Sequence, residues 1–428
     1  MRKLSGASLV TSLSFNQMKA APCANSIVAI SDNMIQETER EARVSQIIHR
    51  EFSLLGGPLH RLGCRLGLVR QGTNTLAMGV AIGALLWILL VALVVISGDR
   101  QRLFSLSVIG AHVRLLVGIP LFFLAESWLA PRWATFVNMI AISGIVPRDE
   151  LPALNSEVAR TVRWKDWWLP EAVCLLTAVL LSVIAPRLSL HGATKAYDPS
   201  RATTLTAAAL WYWIVCLTLF RFLILRWIWR LGLWSYFLWR VSKLKLHLVP
   251  THPDSTAGLG YLQVVHMHFT PLVLAISAVQ AASFTEEIST GTMKFEAIYP
   301  ALALIVIVDA VMFLGPLFIF SRKLWACQVK GRRDYMDFAQ AYVSAFDRKW
   351  LRPDSAPGEP LLGTADLQSL ADLSNSVNVI RNMRWVPVGQ RLLISLAIAA
   401  LVPLLPLLLL KYPIAELAEK FFIRLTGL

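Results

Sequence analysis

Long apolar runs alternate with short charged connections along most of the chain. A helix needs about 20 mostly apolar residues to cross a bilayer, and seven stretches qualify: Thr75–Ile96, Phe104–Leu129, Trp168–Ala185, Leu205–Trp229, Leu262–Phe284, Tyr299–Phe320 and Leu392–Leu410. Backbone polar groups facing lipid must be satisfied within their own segment, so runs of this length are read as helices. The last run contains Pro403 and Pro406 in "LVPLLPLLLL". Each proline removes a backbone donor, which predicts a kink there.

Two regions break this pattern. The N-terminal segment, 1–74, begins with a stretch, 1–33, that has no periodicity. It reads as disordered, or as lying ahead of a start at Met34. From "MIQETEREARVSQIIHREFSLL" the period becomes helical, and "GGPLHRLGCRLGLVR" mixes Leu with His and Arg in the manner of a segment lying along the inner membrane surface. The second region is 323–390. Tyr335, Phe338, Tyr342 and Phe346 are spaced by 3, 4 and 4, which makes one helical face. "RPDSAPGEP" is a loop by its Pro, Gly and Ser content. A second helix follows, with Thr364 as its expected N-cap and Leu367, Leu370 and Leu373 on one face. About 70 residues bury only a small core, so this hairpin is expected to pack on the membrane domain or on a partner. No tandem repeat is visible. The organisation is therefore a 1–74 N-terminal segment, a 75–322 six-span domain, a 323–390 helical hairpin and a 391–428 final span with its tail. The fold class is all-α, a polytopic membrane protein with about seven transmembrane helices and a small cytoplasmic helical region.

Composition agrees. Hydrophobic residues make up 56% of the 428 and charged residues 16%, against about 25% charged in soluble proteins. The mean hydropathy is +0.56. The net charge of +14 would suggest nucleic acid in a soluble chain. Here the basic residues flank the spans, and nucleic acid is set aside as a partner. Alternate connections carry 9, 5, 4 and 11 Lys/Arg, 29 together, and the others carry 2, 3, 1 and 3, 9 together. By the positive-inside rule the N-terminus is cytoplasmic and the C-terminus external. No long apolar run follows "MRK", so no signal peptide is expected.

Candidate chemistry is sparse. Cys23, Cys64, Cys174, Cys216 and Cys327 are odd in number and form no C-x-x-C, so neither a disulfide framework nor a zinc spacing is read. Nucleotide and nucleophile motifs are absent; "GLGY" stops short of a dinucleotide fingerprint. No cofactor is called for. The polar stretch "THPDSTAGLG" holds His252 and Asp254, with His266 and His268 nearby. These four are metal-capable types, but His266 and His268 are two apart and point about 200° apart on a helix. His252-Pro253-Asp254 is also the signature of J-domain co-chaperones, yet Pro250 interrupts the approach and a span follows. The favoured reading is a turn: Pro253 fixes its backbone, Asp254 and Ser255 bond their own chain, and Gly258 and Gly260 allow sharp entry to the next span. The stretch "RWIWRLGLWSYFLW" reads as an interface belt in contact with lipid.

Charges inside spans carry the most information. Each costs about 2.5–3.5 kcal/mol at mid-membrane on insertion scales, so it normally faces protein or water. Arg114 and Asp309 are the deep ones, at matching depth in spans of the same direction, and are expected to pair. Glu126, Glu171, Arg221 and Arg226 lie towards the inner ends of their spans, where snorkelling to the interface is the simpler expectation. Arg114, Asp309, Glu126, Glu171, His252 and Asp254 are therefore the candidate binding residues. Three function classes stay open: a transporter or channel for a small solute or ion, a scaffold or signalling subunit binding a protein partner through the cytoplasmic helices, and, last, an intramembrane metal-dependent enzyme.

The run "LFRFLILRWIWRLGLWSYFLWRVSKLKLHLVPTHPDSTAGLGYL", with "LLGTADLQSLADL" and "LLVGIPLFFLAESWLAPR", resembles a family of uncharacterised bacterial multi-pass inner-membrane proteins. The resemblance covers most of the chain after about Glu51. It implies a bacterial membrane location and supplies no activity, cofactor or catalytic residue.

Overall fold

The structure, a computed structural model, describes Phe52, Leu54 and residues 75–98, 103–188, 207–351 and 365–407. Of the described residues 84% are helical, and none is in a strand. In chain order the helices are α1 Thr75–Ile96, α2 Leu106–Ile142, α3 Arg148–Asp166, α4 Trp168–Leu188, α5 Ala207–Val241, α6 Tyr261–Ser289, α7 Phe295–Trp350, α8 Ala365–Arg381 and α9 Gln390–Leu407. Six of them are long and apolar enough to cross a membrane. A seventh crossing comes from α4 taken together with α3, from which it is bent by 43°. The chain is an all-α multi-pass membrane protein. The N-terminal segments "MIQETEREARVSQIIHREFSLL" (apart from Phe52 and Leu54) and "GGPLHRLGCRLGLVR", the loop "RPDSAPGEP", the Thr364 cap and the tail beyond Leu407 lie outside the described residues.

Side-chain contacts give the direction of each span. On α1 and α2, Thr75 Oγ1 donates to the Phe123 carbonyl and Trp87 Nε1 to His112 Nδ1, so the two are antiparallel. Phe122 stacks on Phe220 and Trp133 packs on Trp234, which makes α2 and α5 parallel. Ser277 on α6 bonds the Ala400 carbonyl of α9 at 2.5 Å. The helix changes from α to 3-10 over Val402–Leu404, beside Pro403. The 3-10 turn falls at the proline from which a kink is expected, and Ser277 supplies a donor to the carbonyl next to the one that Pro403 leaves without its helical donor.

Several helices are longer than a membrane crossing requires. At 1.5 Å per residue α2 is about 55 Å long and α7 about 84 Å, against a hydrocarbon core of about 30 Å. The 322/323 boundary drawn from hydropathy falls inside the continuous helix Ser321–Trp350. The C-terminal ends of α2 and α5 meet α6, and the aromatic core is thickest there. Trp133, Phe136, Trp234, Phe237 and Phe269 are fully buried together, and Phe52 closes against Trp234 and Phe237. The interface-belt reading of "RWIWRLGLWSYFLW" is thereby corrected. Trp227, Trp234 and Phe237 are core residues, Trp229 and Tyr236 are half-buried, and Ile228 and Trp239 are exposed. A belt and a core are both rich in Trp, and composition alone does not separate them.

The hairpin α7–α8 is present. Lys349 Nζ and Trp350 Nε1 both bond Asp366 Oδ2, at 2.7 and 3.1 Å, and Tyr342 Oη donates to the Asp366 carbonyl. At its base Gln328 Nε2 donates to the carbonyls of Ile380 and Met383, both at 3.0 Å. Leu370 and Leu373 are half-buried, but Leu367 and Phe338 are exposed, so each predicted face is only partly used.

Candidate functional site

α5 carries polar side chains at intervals along its length, and the neighbouring spans answer them. The first group lies near the start of α2 and of α5. Arg114 Nη1 donates to Tyr212 Oη at 2.6 Å and Nη2 to Ser283 Oγ at 2.7 Å, with Glu286 Oε2 at 3.8 Å. Glu286 Oε1 also accepts the backbone N–H of Gly110 at 2.7 Å. A Cβ on Gly110 would lie 2.6 Å from that carboxylate, so only glycine lets the backbone come this close. Arg114 and Tyr212 each open a π-helical segment, Arg114–Gly118 and Tyr212–Cys216. Single π turns within α-helices recur at functional sites.

Midway along α5, Thr218 Oγ1 lies 2.8 Å from Ser182 Oγ of α4, and Arg221 Nη1 donates to the same Ser182 oxygen at 2.9 Å. Further along, Arg226 Nη1 donates to Glu126 Oε1 at 2.8 Å and its Nε to Glu171 Oε1 at 3.2 Å. Arg230, one turn on, bonds Glu126 Oε1 as well. Glu126, Arg226 and Arg230 are all buried. Arg230 Nη2 has no hydrogen-bond partner among the described residues. The four charges of this group cancel, which is the condition for burying them at a tolerable cost. Between the Arg114 group and the Arg226 group, Phe122 of α2 stacks on Phe220 of α5 at 5.6 Å between ring centroids.

Of the residues picked out in the sequence, Glu126 and Glu171 are brought together through Arg226. They do not snorkel. Their partners lie on facing spans, and a guanidinium between two carboxylates is better satisfied inside than at the headgroups. Arg114 and Asp309 do not pair. Among the described residues α5 and α6 supply the side-chain partners of Arg114, whereas the N-terminal half of α7 packs on α6 and α9 through Ile298, Ala281, Phe284 and Leu407. Asp309 is buried, with Oδ2 lacking a hydrogen-bond partner among the described residues.

His252 and Asp254 sit in a turn away from this ladder. The Asp254 carboxylate accepts backbone N–H groups from Thr256 at 2.8 Å, Gly258 at 3.1 Å and Gly260 at 2.7 Å. Ser255 and Ala257 take positive φ of 56° and 54°, and Gly258 takes 99°. This curls successive amides into an anion-binding concavity, which the loop fills with its own side chain. Arg384 clamps the turn, with Nη2 on the Asp254 carbonyl at 3.1 Å and its backbone N–H on the Ser255 carbonyl at 2.7 Å. Burial acts to raise the Asp254 pKa, but the three amides outweigh it and hold the carboxyl below its usual value. His252 Nδ1 lies 2.9 Å from Asp254 Oδ1 and 3.3 Å from the Asp254 N–H.

The other two histidines are committed elsewhere. His266 Nδ1 donates to the Phe313 carbonyl at 2.7 Å, so its Nε2 accepts from Trp234 at 3.2 Å. His268 Nδ1 donates to the Val264 carbonyl and its Nε2 accepts from Arg132. Among the described residues no group of three His, Cys, Asp or Glu is placed to hold a metal ion. The sequence reading missed Arg230, Tyr212, Ser182 and Glu286. Arg230 was within reach, since it follows Arg226 by one helical turn. The hydroxyls carried no signal among so many in apolar runs.

No family model matches the chain, and neither does any curated protein or solved structure.

Proposed function

We propose that the chain is a transporter or channel for a small solute or ion in the inner membrane of a bacterium, with its N-terminus cytoplasmic and its C-terminus outside. The observation that carries this reading is the succession of polar groups along α5, answered from α2, α4 and α6. Polar side chains inside spans are expensive and concentrate along ion and substrate pathways. The Phe122–Phe220 layer between the outer and inner groups is the barrier of a closed passage. The orientation rests on the 29-to-9 division of basic residues. The test is flux through vesicles reconstituted with the purified chain. Wild-type vesicles should release small ions or solutes faster than protein-free ones, and Tyr212→Phe, which removes one hydroxyl, should change the rate several-fold. Vesicles that stay tight to every ion and solute while the protein is folded would overturn the reading.

A second reading is a scaffold or signalling subunit that binds a protein partner on the cytoplasmic side. It is favoured by Met336, Phe338 and Leu367, which stand exposed on the α7–α8 hairpin. Tight vesicles would leave this reading in place.

A further inference from the structure

Resting on the transport reading, we propose that the junction of Arg221, Ser182 and Thr218 between α4 and α5 is a binding site for a small singly charged anion, and that the passage selects anions. The argument starts from which charges are answered. The ladder holds four arginines, Arg114, Arg221, Arg226 and Arg230, and three glutamates, Glu126, Glu171 and Glu286. Arg226 and Arg230 share Glu126, with Glu171 on the far side of Arg226. Arg114 faces Glu286. Arg221 has no carboxylate partner among the described residues; its hydrogen bond goes to a neutral hydroxyl. The outer and inner groups are therefore each neutralised by protein, and the net positive charge lies between them.

The donors at this junction point to an acceptor-only ligand. A guanidinium carries five N–H donors, and Arg221 spends one on Ser182 Oγ. Ser182 donates its own proton to the Ala178 carbonyl at 2.9 Å. Its remaining capacity is as an acceptor, from Arg221 and from Thr218 at 2.8 Å. The junction thus has spare donors and no spare charge of the opposite sign. Arg221 is half-buried, so those donors are reachable.

α4 and α5 are antiparallel, since Glu171 meets Arg226 and Ser182 meets Thr218. Ser182 lies six residues from Leu188, about 9 Å from that end of α4 at 1.5 Å per residue. A lipid phosphate and a free anion share the chemistry that these donors suit, and release of a free anion from vesicles separates the two. A single guanidinium without a carboxylate partner among the described residues matches one negative charge.

The experiment loads proteoliposomes with potassium chloride or potassium nitrate and starts efflux with valinomycin, reading chloride with an electrode and nitrate by absorbance. Wild type should release both anions. Arg221→Met should slow release at least tenfold, Arg221→Lys and Ser182→Ala a few-fold each. If Arg221→Met does not fold, Arg221→Lys and Ser182→Ala decide the matter. Wild-type vesicles that pass sodium, or potassium in the absence of valinomycin, but neither anion would overturn the anion site and leave the passage standing. Vesicles that pass nothing would overturn both. Anion release at the wild-type rate in all the folded variants would also overturn the site.

Discussion

Glu126 and Asp254 are two carboxylates satisfied by opposite means. Asp254 is answered by backbone amides two, four and six residues ahead of it in its own loop. Glu126 is answered by Arg226 and Arg230, distant in sequence and on another span. The first arrangement is complete once one turn has formed. The second exists only when α2, α4 and α5 have assembled. A local site is held by chain conformation, and a distant one by the packing of the bundle.

The strongest way to break this comparison is at Glu126. Glu126→Leu leaves two arginines buried beside one remaining carboxylate, and loss of one partner from a buried pair costs about 3–5 kcal/mol. Unfolding in detergent should show a loss of that size. Replacing Glu126, Arg226 and Arg230 together by apolar residues should cost less than the single change. If the triple variant is the less stable one, the group is not a self-neutralising unit.

At Asp254 the expected loss is smaller. Asp254→Ala uncovers three amides that share one charged acceptor, and bonds to a charged group contribute about 1.5–3 kcal/mol. The pH dependence has a definite sign. The folded pKa lies below the unfolded value of about 3.9, so the contribution is complete above about pH 4 and is lost as pH falls through the folded pKa. Unfolding between pH 5 and pH 2 should therefore show an acid-side loss that Asp254→Asn lacks. Equal slopes in both proteins would remove the carboxylate from the account.

The finest distinction is between two residues of the same turn. Gly258 has φ of 99°, and a Cβ there would meet Ile145 Cδ1 at 3.0 Å. Gly258→Val should cost about 1–2 kcal/mol, since left-handed backbone disfavours a branched side chain. His252 is largely exposed, and His252→Ala should stay within about 0.5 kcal/mol. Folded yield measured side by side would sharpen the comparison, and a greater loss at His252 would mean that the histidine has a further partner.

The same contrast explains what could be read from sequence. The spans were legible because lipid imposes an apolar composition on every stretch long enough to cross it. The turn at Asp254 was legible because Pro253, Asp254 and Gly258 act on their immediate neighbours. The ladder was not. Glu126, Glu171 and Arg226 could be singled out as charges in apolar runs, but which of them meet depends on how helices rotate and pack, which periodicity does not specify. Matching depth suggested Arg114 with Asp309. The packing of α7 on α6 and α9 decided otherwise, and Arg114 meets Tyr212, Ser283 and Glu286.

α7 loosens into a 3-10 turn over Gly315–Phe320 and continues as an unbroken helix to Trp350. Its turns up to Gly331 are pinned, with Gln328 on the Ile380 and Met383 carbonyls and Gly331 against Pro250. Mechanically the remainder is a short lever. From Gly331 to Trp350 it runs about 28 Å at 1.5 Å per residue, so a tilt of about 5° would carry its tip about 2.5 Å. A shift of that size at the tip would alter which surfaces of the hairpin can touch a neighbour while the pinned turns stay in place.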